Sequence, residues 1–580
     1  MTQKADPITV ATTWHYIQRV CREMRETTER TATNVLVVTL HDMAYGIWDA
    51  EGRVIAIPEG FPPRLISSTF PIRRIKEKFD GRIYPGDEFL TNYPGDGAVH
   101  LPDWVFIRPI FYKGEIVFFT CMGTHVADSG GARPGSHFLA FDSVAEGLNI
   151  PLIKIVEKNK LREDVLELIL ANNRLPDMMK REISSLMGST SLADQRMVEL
   201  LDKYGKETVC ASIEEMIQRT EKAVRAEIAK WPEGTYMAEA KTDDDGSTMG
   251  VPLTVRCKLT IRNGELTFDF SETDDQVKGM VNSYYQQTLS NTLCTSFLFL
   301  GSYLAAYHNE GSMKPIHIVT RKGTIVDCKP GALVAGAPAV TGSLVIEVVL
   351  AALSQALPDK AIAPYSRLVS PLVVGQDPRT DGLYVYTSFG AAAGAGAVSG
   401  FDGYQCACDM GTLGVVGKTD AEEEMVRFPW EVNQYEFRMD SHGAGKWRGA
   451  PGIIWEGVNE GGECFSNGGP WSGFSTQGSG IQDGNPTPLN QAYIMRENQK
   501  IEITQPHIPV DLKCGDKLII LSGGGAGVGR PEERDPEAVR KDVKNELVSL
   551  AMARSVYKVV IKPDTFEIDL EGTQKLRSHK

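Results

Sequence analysis

Two short glycine-rich segments place histidine close to aspartate. The segment GDGAVHLPDWVF carries His100 and Asp103, and GTHVADSGG carries His125 and Asp128. Histidines are scarce, 10 in 580 residues, so two such pairs are unusual. Imidazole nitrogen and carboxylate oxygen bind Mn, Fe or Zn, and two histidines with one carboxylate leave coordination positions open for water or substrate. The pattern indicates a divalent metal site, with ordinary turn and cap residues as the alternative interpretation.

The chain between the two segments indicates how they can meet. WVFIRPIFYKGEIVFFTCMG has the pattern of two strands joined by a turn at Lys113-Gly114. A hairpin returns the chain to the same end of a sheet, which would bring His125 to the first pair. A further carboxylate, Asp42, follows the segment VLVVTL, which we predict to be a strand. Asp42 is therefore another candidate for the site.

The remaining pattern predicts an α+β protein with several lobes. Its N- and C-terminal regions are strand-rich, and a helical segment rich in Leu, Glu, Lys and Met lies between them. A chain of 580 residues exceeds what one core usually holds. We expect a strand-rich region at 1–155 with the metal site, a helical region at 156–231, a mixed α/β region at 232–425, and a strand-rich region at 426–580 with a terminal helix.

Local signals predict where particular elements begin and turn. An Asn-Gly pair at 263–264 is typical of a tight hairpin. Ser212 and Glu215 have the spacing of a capping box, which predicts a helix beginning near residue 212. Asp535 followed by Pro536 predicts the start of the terminal helix, because Pro loses no hydrogen bond in the first helical turn.

Composition limits the classes of partner and location. The net charge is −14 and no block of Lys and Arg occurs, which argues against nucleic acid or an anionic membrane surface as the main partner. We found no apolar run of the ~18–20 residues that a membrane span needs, and the first ten residues lack the apolar core of a signal peptide. We expect a cytoplasmic protein whose ten cysteines are reduced thiols.

Two glycine-rich loops lie in the C-terminal region. LSGGGAGVGRPEERDP, at 521–536, lacks the Lys-Ser/Thr pair of a phosphate-binding loop, so we expect a structural turn that binds no nucleotide. DSHGAGKWRGAPG, at 440–452, carries Lys446 and Arg448. These two cations either bind an anionic substrate or partner, or are solvated charges on a tight turn.

Taken together, these segments resemble the hydantoinase B/oxoprolinase family. HLPD, H-x-A-D-x-GG, EGLNIPLIKI, LILANNRLPD, YEFRMDSHGAGKWRGAPG and SGGGAGVGRPEERDPEAVRKDV occur in the order expected of that family, from about residue 7 to 562. Family members hydrolyse cyclic amides with ATP or form subunits of acetone and acetophenone carboxylases. In two-component members, a hydantoinase A-type subunit binds ATP and phosphorylates a carbonyl oxygen. The B-type subunit, which this chain resembles, carries a metal and completes the reaction.

The resemblance implies roles for individual residues. His100, Asp103 and His125 would bind the divalent metal (Mn, Zn or Fe), with Asp42 as a nearby or fourth ligand. Independently of the resemblance, we expect Asp42 or Asp128 to act as general base if its carboxylate lies within hydrogen-bond reach of the metal-bound water. The implied partner is a hydantoinase A-type subunit that binds ATP, and the implied substrate is a small-molecule carbonyl compound or cyclic amide.

The chain departs from many amide-hydrolysing relatives at two places near this site. It has Asn92-Tyr93-Pro94-Gly95 where they read Asn-Asp-Pro-Tyr, and Val126 where they have a second consecutive histidine. Three functions therefore stay open. The leading hypothesis is an ATP-dependent amidohydrolase subunit, the second is a ketone carboxylase subunit, and the third is a non-catalytic subunit that stabilises an ATP-binding partner.

Overall fold

The structure is a computed structural model that describes residues 6–58, 60, 62–135, 139–387, 391–392, 394–405, 407–466, 471–505 and 507–578. Helices and strands are mixed along the chain, which confirms the predicted α+β class. Packing divides the chain into two compact units, one of residues 1–235 with 257–345 and one of 236–256 with 346–580. The four regions predicted from composition are a finer division and stay a prediction.

The elements are numbered in chain order. The strands are β1 Met43–Asp49, β2 Val54–Ala56, β3 Glu88–Thr91, β4 Asp103–Tyr112, β5 Glu115–His125, β6 Ile153–Glu157, β7 Lys160–Leu161, β8 Gly234–Lys241, β9 Thr254–Arg262, β10 Glu265–Asp269, β11 Ile316–Val319, β12 Leu372–Asp377, β13 Gly382–Thr387, β14 Trp430–Phe437, β15 Ile453–Asn459, β16 Cys464–Ser466, β17 Gln491–Arg496, β18 Gln499–Glu502, β19 Val510–Leu512 and β20 Lys517–Leu521. The α-helices are α1 Pro7–Thr31, α2 Val35–Val38, α3 Pro62–Leu65, α4 Thr69–Lys78, α5 Ser143–Glu146, α6 Glu163–Ala171, α7 Pro176–Tyr204, α8 Lys206–Ile228, α9 Tyr285–Phe297, α10 Glu310–Met313, α11 Gly342–Ala356, α12 Ala421–Arg427, α13 Pro536–Lys544, α14 Leu550–Ser555 and α15 Leu570–Ser578.

A seven-stranded sheet in the first unit positions the candidate metal ligands. Its strand order is β2-β1-β5-β4-β3-β6-β7. Strands β4 and β5 form the predicted hairpin, in which Asp103 pairs with His125, and the turn at 113–114 has positive φ values of 51° and 88° that suit a two-residue hairpin. Strand β1 pairs with the other side of β5, with Met43 opposite Thr124. The start of β1, the end of β5 and the start of β4 therefore lie side by side.

Helices α1, α7 and α8 form the hydrophobic core of the first unit together with this sheet. The apolar residues Ile17, Val20, Cys21 and Met24 follow one face of α1 and are all fully buried. Burial of a side chain of this size contributes roughly 1.5–3 kcal/mol before the entropy cost of ordering is counted. Asp6 caps the helix, since its side chain accepts a hydrogen bond from the backbone N–H of Thr9 at 3.0 Å.

Two local predictions are wrong. The segment VLVVTL forms the short helix α2 instead of a strand, because the Asn34 side chain accepts the backbone N–H of Leu36 and caps a helical turn. Helix α8 begins at Lys206 instead of near residue 212, because Gly205, with a φ of 80°, ends α7 and starts the next helix at once. Ser212 lies inside α8 and donates to the carbonyl of Thr208.

Other predicted elements are confirmed. Strands β9 and β10 pair as a hairpin around the Asn-Gly turn at 263–264, and Asp535 caps α13 by accepting the N–H of Glu537 at 3.1 Å. The second unit contains two sheets, in the orders β13-β12-β16-β19 and β14-β15-β20-β17-β18. The nine cysteines within the described residues are free thiols, and Cys406 lies outside those residues.

One helical run, Ala337–Ala356, is long and apolar enough by composition to cross a membrane. Within the described residues, 94% of its most apolar window is buried in the protein, as in the core helix of a globular protein. The sequence search missed this run because Thr341, Ser343 and Glu347 interrupt its apolar residues.

Candidate metal centre

The structure brings together the three residues predicted as metal ligands. One donor atom each from His100, Asp103 and His125 lies within 4.8 Å of the other two. His100 and Asp103 are almost fully buried, and the two imidazole rings are 5.0 Å apart between centroids. Nε2 of His100 lies 3.3 Å from Oδ1 of Asp103. The hairpin and the His100–Asp103 turn therefore produce the convergence that the spacing predicted.

The donor atoms of this trio fit a divalent cation. Within the described residues, three of its buried atoms have no hydrogen-bond partner: Nε2 of His100, Oδ2 of Asp103 and Nδ1 of His125. A buried polar atom without a hydrogen-bond partner lowers the stability of the folded protein by about 1–3 kcal/mol. Three such atoms together are therefore destabilising unless a ligand binds them. Nδ1 of His100 lies 3.2 Å from the carbonyl oxygen of Ala335, so it carries the proton and leaves the Nε2 lone pair for a metal.

Electrostatics hold Asp103 and His125 in the protonation states that metal binding requires. Burial disfavours the charged form of Asp103, but the nearby Arg64 and His100 outweigh burial and lower the pKa of Asp103 to about 2. Burial, followed by the neighbouring His100, lowers the pKa of His125 to about 3. At neutral pH the carboxylate is therefore ionised and the imidazole neutral, which are the forms that ligate metals.

Arg64, in helix α3, is a residue that the sequence analysis missed. Its side chain is 1% exposed, its Nη1 donates to Oδ1 of Asp103 at 3.0 Å, and its Nη2 donates to Oδ1 of Asp42. Asp42 is therefore linked to the trio through this guanidinium, and its backbone carbonyl also accepts the N–H of His125 at 3.4 Å. The only available signal was an arginine within the apolar segment FPPRL, since a buried arginine needs a carboxylate partner.

Asp128 belongs to a different set of contacts. Its Oδ1 accepts hydrogen bonds from the backbone of Gly130 and from the Arg174 guanidinium, both at 3.1 Å. Its Oδ2 accepts the backbone N–H of Arg174 at 2.8 Å. These contacts favour a role in fixing the turn after His125 against the start of α7. The role of Asp128 as a general base stays a prediction.

Asn92, which the chain shares with the family pattern, and Val126, at one of the two departures, both have structural contacts. The Asn92 side chain donates to the carbonyls of Leu101 and Leu148, each at 2.8 Å, and accepts the N–H of Ile150 at 2.7 Å. It thereby holds the loop that contains His100. Val126 is 1% exposed and packs in the hydrophobic core of the first unit. Position 126 therefore contributes apolar packing where many relatives carry an imidazole.

Arg448 is buried, so the alternative in which it is a solvated charge on a tight turn is wrong. Its Nη2 donates to Asp542 at 3.0 Å, and the same carboxylate accepts from Arg534 at 2.8 Å. Arg534 also makes two bonds to Asp402. This buried ion network explains the cation in the loop, whereas Lys446 is exposed. Anion binding by Lys446 stays a prediction.

The two glycine-rich loops of the second unit pack backbone against backbone. A Cβ on Gly449 would lie 1.9 Å from the carbonyl oxygen of Gly525, and one on Gly527 would lie 2.2 Å from that of Ala444. Only glycine permits such an approach. The SGGGAGVG segment therefore has a structural role in packing, although residues 522–527 form no turn. That the segment binds no nucleotide stays a prediction.

The chain also matches the model of a known protein family along most of its length. The family model for hydantoinase B/oxoprolinase matches residues 6–531. The chain belongs to the hydantoinase B/oxoprolinase family. This family member is similar to caprolactamase subunit beta of Pseudomonas jessenii, with 28% identity over 572 residues that cover 96% of each chain.

Two solved structures resemble this hydantoinase B/oxoprolinase family member along nearly its whole length. The crystal structure of ATP-dependent caprolactamase from Pseudomonas jessenii matches with a TM-score of 0.91 and 27% identity, covering 99% of this chain and 100% of that one. A nucleotide-free structure of acetone carboxylase matches with a TM-score of 0.88 and 18% identity, covering 99% and 82%. The second likeness shows a shared fold.

Proposed function

We propose that this chain is the metal-containing catalytic subunit of an ATP-dependent, hetero-oligomeric amidohydrolase. In this proposal, a hydantoinase A-type partner phosphorylates a cyclic amide, and this chain completes its hydrolysis. The observation that carries the proposal is the cluster of three buried atoms on His100, Asp103 and His125 that have no hydrogen-bond partner within the described part of the chain. The similarity to a caprolactamase subunit supports the reaction class and the need for a partner. A cytoplasmic location remains part of the proposal.

The chemistry follows from the weakness of an unstrained amide as an electrophile. Phosphorylation of the amide oxygen by the partner gives an imidate-like ester that water attacks readily. A divalent metal held by the trio would lower the pKa of bound water and stabilise negative charge on the departing oxygen. Arg64 holds Oδ1 of Asp42, so that Oδ2 of Asp42 would accept the proton of the attacking water. Burial of these groups limits competing reactions with bulk water.

Metal analysis of purified variants tests this proposal. The wild-type protein should bind about one Mn, Zn or Fe ion per chain, and His100→Ala or His125→Ala should lose both the ion and turnover. His317→Ala is a suitable control, because that side chain is 48% exposed and pairs with Glu265 instead of the trio. Full metal content and full activity in either trio variant would contradict the assignment.

A ketone carboxylase is the second candidate. It is favoured by the two departures, at Asn92-Tyr93-Pro94-Gly95 and Val126, where the chain differs from many amide-hydrolysing relatives. In that reaction, an enol phosphate would react with CO2 formed from bicarbonate. A metal held by the same trio would stabilise the negative charge on the enolate oxygen. Reaction of the assembled enzyme with labelled bicarbonate separates the candidates: label in an acid-stable product supports the carboxylase, and ring opening without label supports the amidohydrolase.

A further inference from the structure

A buried carboxylate contacts the piece of backbone whose carbonyl faces one of the candidate metal ligands. Glu146, at the end of α5, is 3% exposed. Its Oε1 accepts the backbone N–H groups of Val334 and Ala335, both at 2.8 Å, and its Oε2 also accepts from Val334 at 3.2 Å. The carbonyl of Ala335 faces Nδ1 of His100 at 3.2 Å. Glu146 and His100 therefore contact the same short piece of backbone, one through its N–H groups and the other through its carbonyl.

We propose that Glu146 is a positioning residue for His100. By holding the backbone at 334–335, Glu146 directs the Ala335 carbonyl at the imidazole and so fixes which ring nitrogen carries the proton. This inference rests on the metal site proposed above. It assigns a role to a residue of the EGLNIPLIKI segment for which the sequence analysis gave none.

The physical reason is that a histidine can bind a metal through only one of its two nitrogens at a time. A hydrogen bond from Nδ1 to a carbonyl keeps the proton there, leaves Nε2 as the ligand and limits rotation of the ring. Nε2 of His100 is the atom that faces Asp103. A carbonyl that turned away from Nδ1 would leave the tautomer and the ring orientation unconstrained, and metal affinity would fall.

The backbone at 332–335 lies in neither a helix nor a strand, and Glu146 orients it together with two backbone hydrogen bonds, from the N–H of Gly336 to the carbonyl of Met280 at 3.0 Å and from the N–H of Ala337 to the carbonyl of Val334 at 2.9 Å. The π-helical turn Ala337–Thr341 begins only after these residues. A paired strand would fix its carbonyls through the ladder of its sheet. Here the two N–H groups of Val334 and Ala335 are fixed by one side-chain carboxylate instead.

The charge state of Glu146 indicates how to substitute it. Burial raises the pKa of Glu146 to about 8, even though its bonds from Ala335 and Val334 act in the opposite direction. The neutral carboxyl group therefore predominates at pH 7, and glutamine, which has a carbonyl oxygen at the same place, is its closest uncharged substitute. Leucine has similar volume but cannot accept a hydrogen bond.

Metal titration of the full chain tests the inference. Apo-protein is titrated with Zn²⁺ or Mn²⁺ against a competing chelator, and urea unfolding is measured in parallel for wild type, Glu146→Leu, Glu146→Gln and the control Glu424→Leu. Glu146→Leu should weaken metal affinity by about 10–100-fold, the usual range for loss of a group that orients a ligand, whereas Glu146→Gln should retain wild-type affinity. Glu424 is an equally buried carboxylate in the second unit that accepts bonds from Thr419 and Trp455, so its removal should lower stability and leave metal affinity unchanged.

The outcomes separate this inference from the function on which it rests. If the wild-type chain binds no metal that depends on His100, the proposed metal site fails and the positioning role fails with it. If the wild type binds metal and folded Glu146→Leu binds it equally well, or if Glu146→Gln is as weak as Glu146→Leu, only the positioning role is overturned.

A shorter carboxylate gives the same test if Glu146→Leu does not fold. Glu146→Asp keeps the acid but withdraws it by one methylene, so it should weaken metal affinity and shift the visible absorption bands of the Co²⁺-substituted site. Glu146→Gln should leave those bands in place. Wild-type affinity and unchanged bands in Glu146→Asp would overturn the positioning role.

Discussion

At the scale of single residues, burial controls protonation in both units. His442, in the second unit, is 3% exposed, and its Nε2 lies 2.8 Å from the hydroxyl of Tyr557. Burial, helped by the nearby positive charges of Arg448 and Arg534, lowers the pKa of His442 to about 3. The imidazole is therefore neutral in the folded protein at pH values where it is already charged in the unfolded chain.

This difference predicts a loss of stability in mild acid. Between a pKa of about 6.5 in the unfolded chain and about 3 in the folded protein, the unfolded state binds more protons. Stability should therefore fall as pH decreases below about 6.5, by up to about 1.4 kcal/mol per pH unit from this group, and should not depend on this group above that pH. Urea unfolding at pH 7, 6 and 5 should show a shallower loss for His442→Gln than for wild type. The exposed-site variant His317→Gln should keep the wild-type slope, and an unchanged slope in His442→Gln would refute the argument.

At the scale of elements, the close approach of two backbone segments requires glycine at particular positions of the glycine-rich loops. Gly449→Ala should destabilise the second unit by about 3 kcal/mol or prevent folding, because its Cβ would lie 1.9 Å from a carbonyl oxygen and backbone cannot move aside cheaply. Gly462→Ala is the matched control, since no atom lies within 4 Å of a Cβ there, and it should change stability by no more than about 0.5 kcal/mol. Thermal and urea unfolding measure both variants. Equal stability of the two variants would show that the loops are not packed as described.

The sequence predicted an element correctly when the residues that determine it lie close together in the chain. The β4–β5 hairpin was predictable because strand pattern and turn residues lie within one stretch, and this placed His125 opposite Asp103. The helix α2 was not predicted, because one cap by Asn34 outweighs the strand preference of a Val-rich segment. Arg64 reaches Asp42 and Asp103 across 22 and 39 residues of chain, and no pattern of spacing reveals such a contact.

At the scale of the whole molecule, the proposed reaction needs a metal site and an ATP site. The sequence of this chain offers candidate residues for the metal site only. The trio can hold a metal, but the SGGGAGVG segment lacks the residues of a phosphate-binding loop and is accounted for by packing. A phosphorylated amide released into water would hydrolyse without control, so the two sites should communicate within a lasting complex. Permanent complexes of this kind commonly bury more than ~2,000 Å².

This reasoning predicts that the chain is inactive alone. Purified chain with ATP and a cyclic amide should give no turnover, and ATP should not raise its melting temperature, because only a ligand of the folded state stabilises it. Adding a hydantoinase A-type subunit should restore turnover, and the two chains should elute together as one large species. ATP-dependent turnover by the isolated chain, at a rate that the partner does not change, would refute the prediction.

The register of the seven-stranded sheet has a consequence for the order of events during synthesis. Asp42 and His125 become neighbours only when β1 pairs with β5, and about 65 residues of chain separate those strands. Loop closure on this scale comes late, since its entropy must be lost before its contacts form. The trio itself lies at the local β4–β5 hairpin, so His100, Asp103 and His125 converge without β1, whereas Asp42 joins them only after the longer loop has closed. The site is therefore expected to be completed in two steps during synthesis, with the three candidate ligands first and the Asp42 carboxylate last.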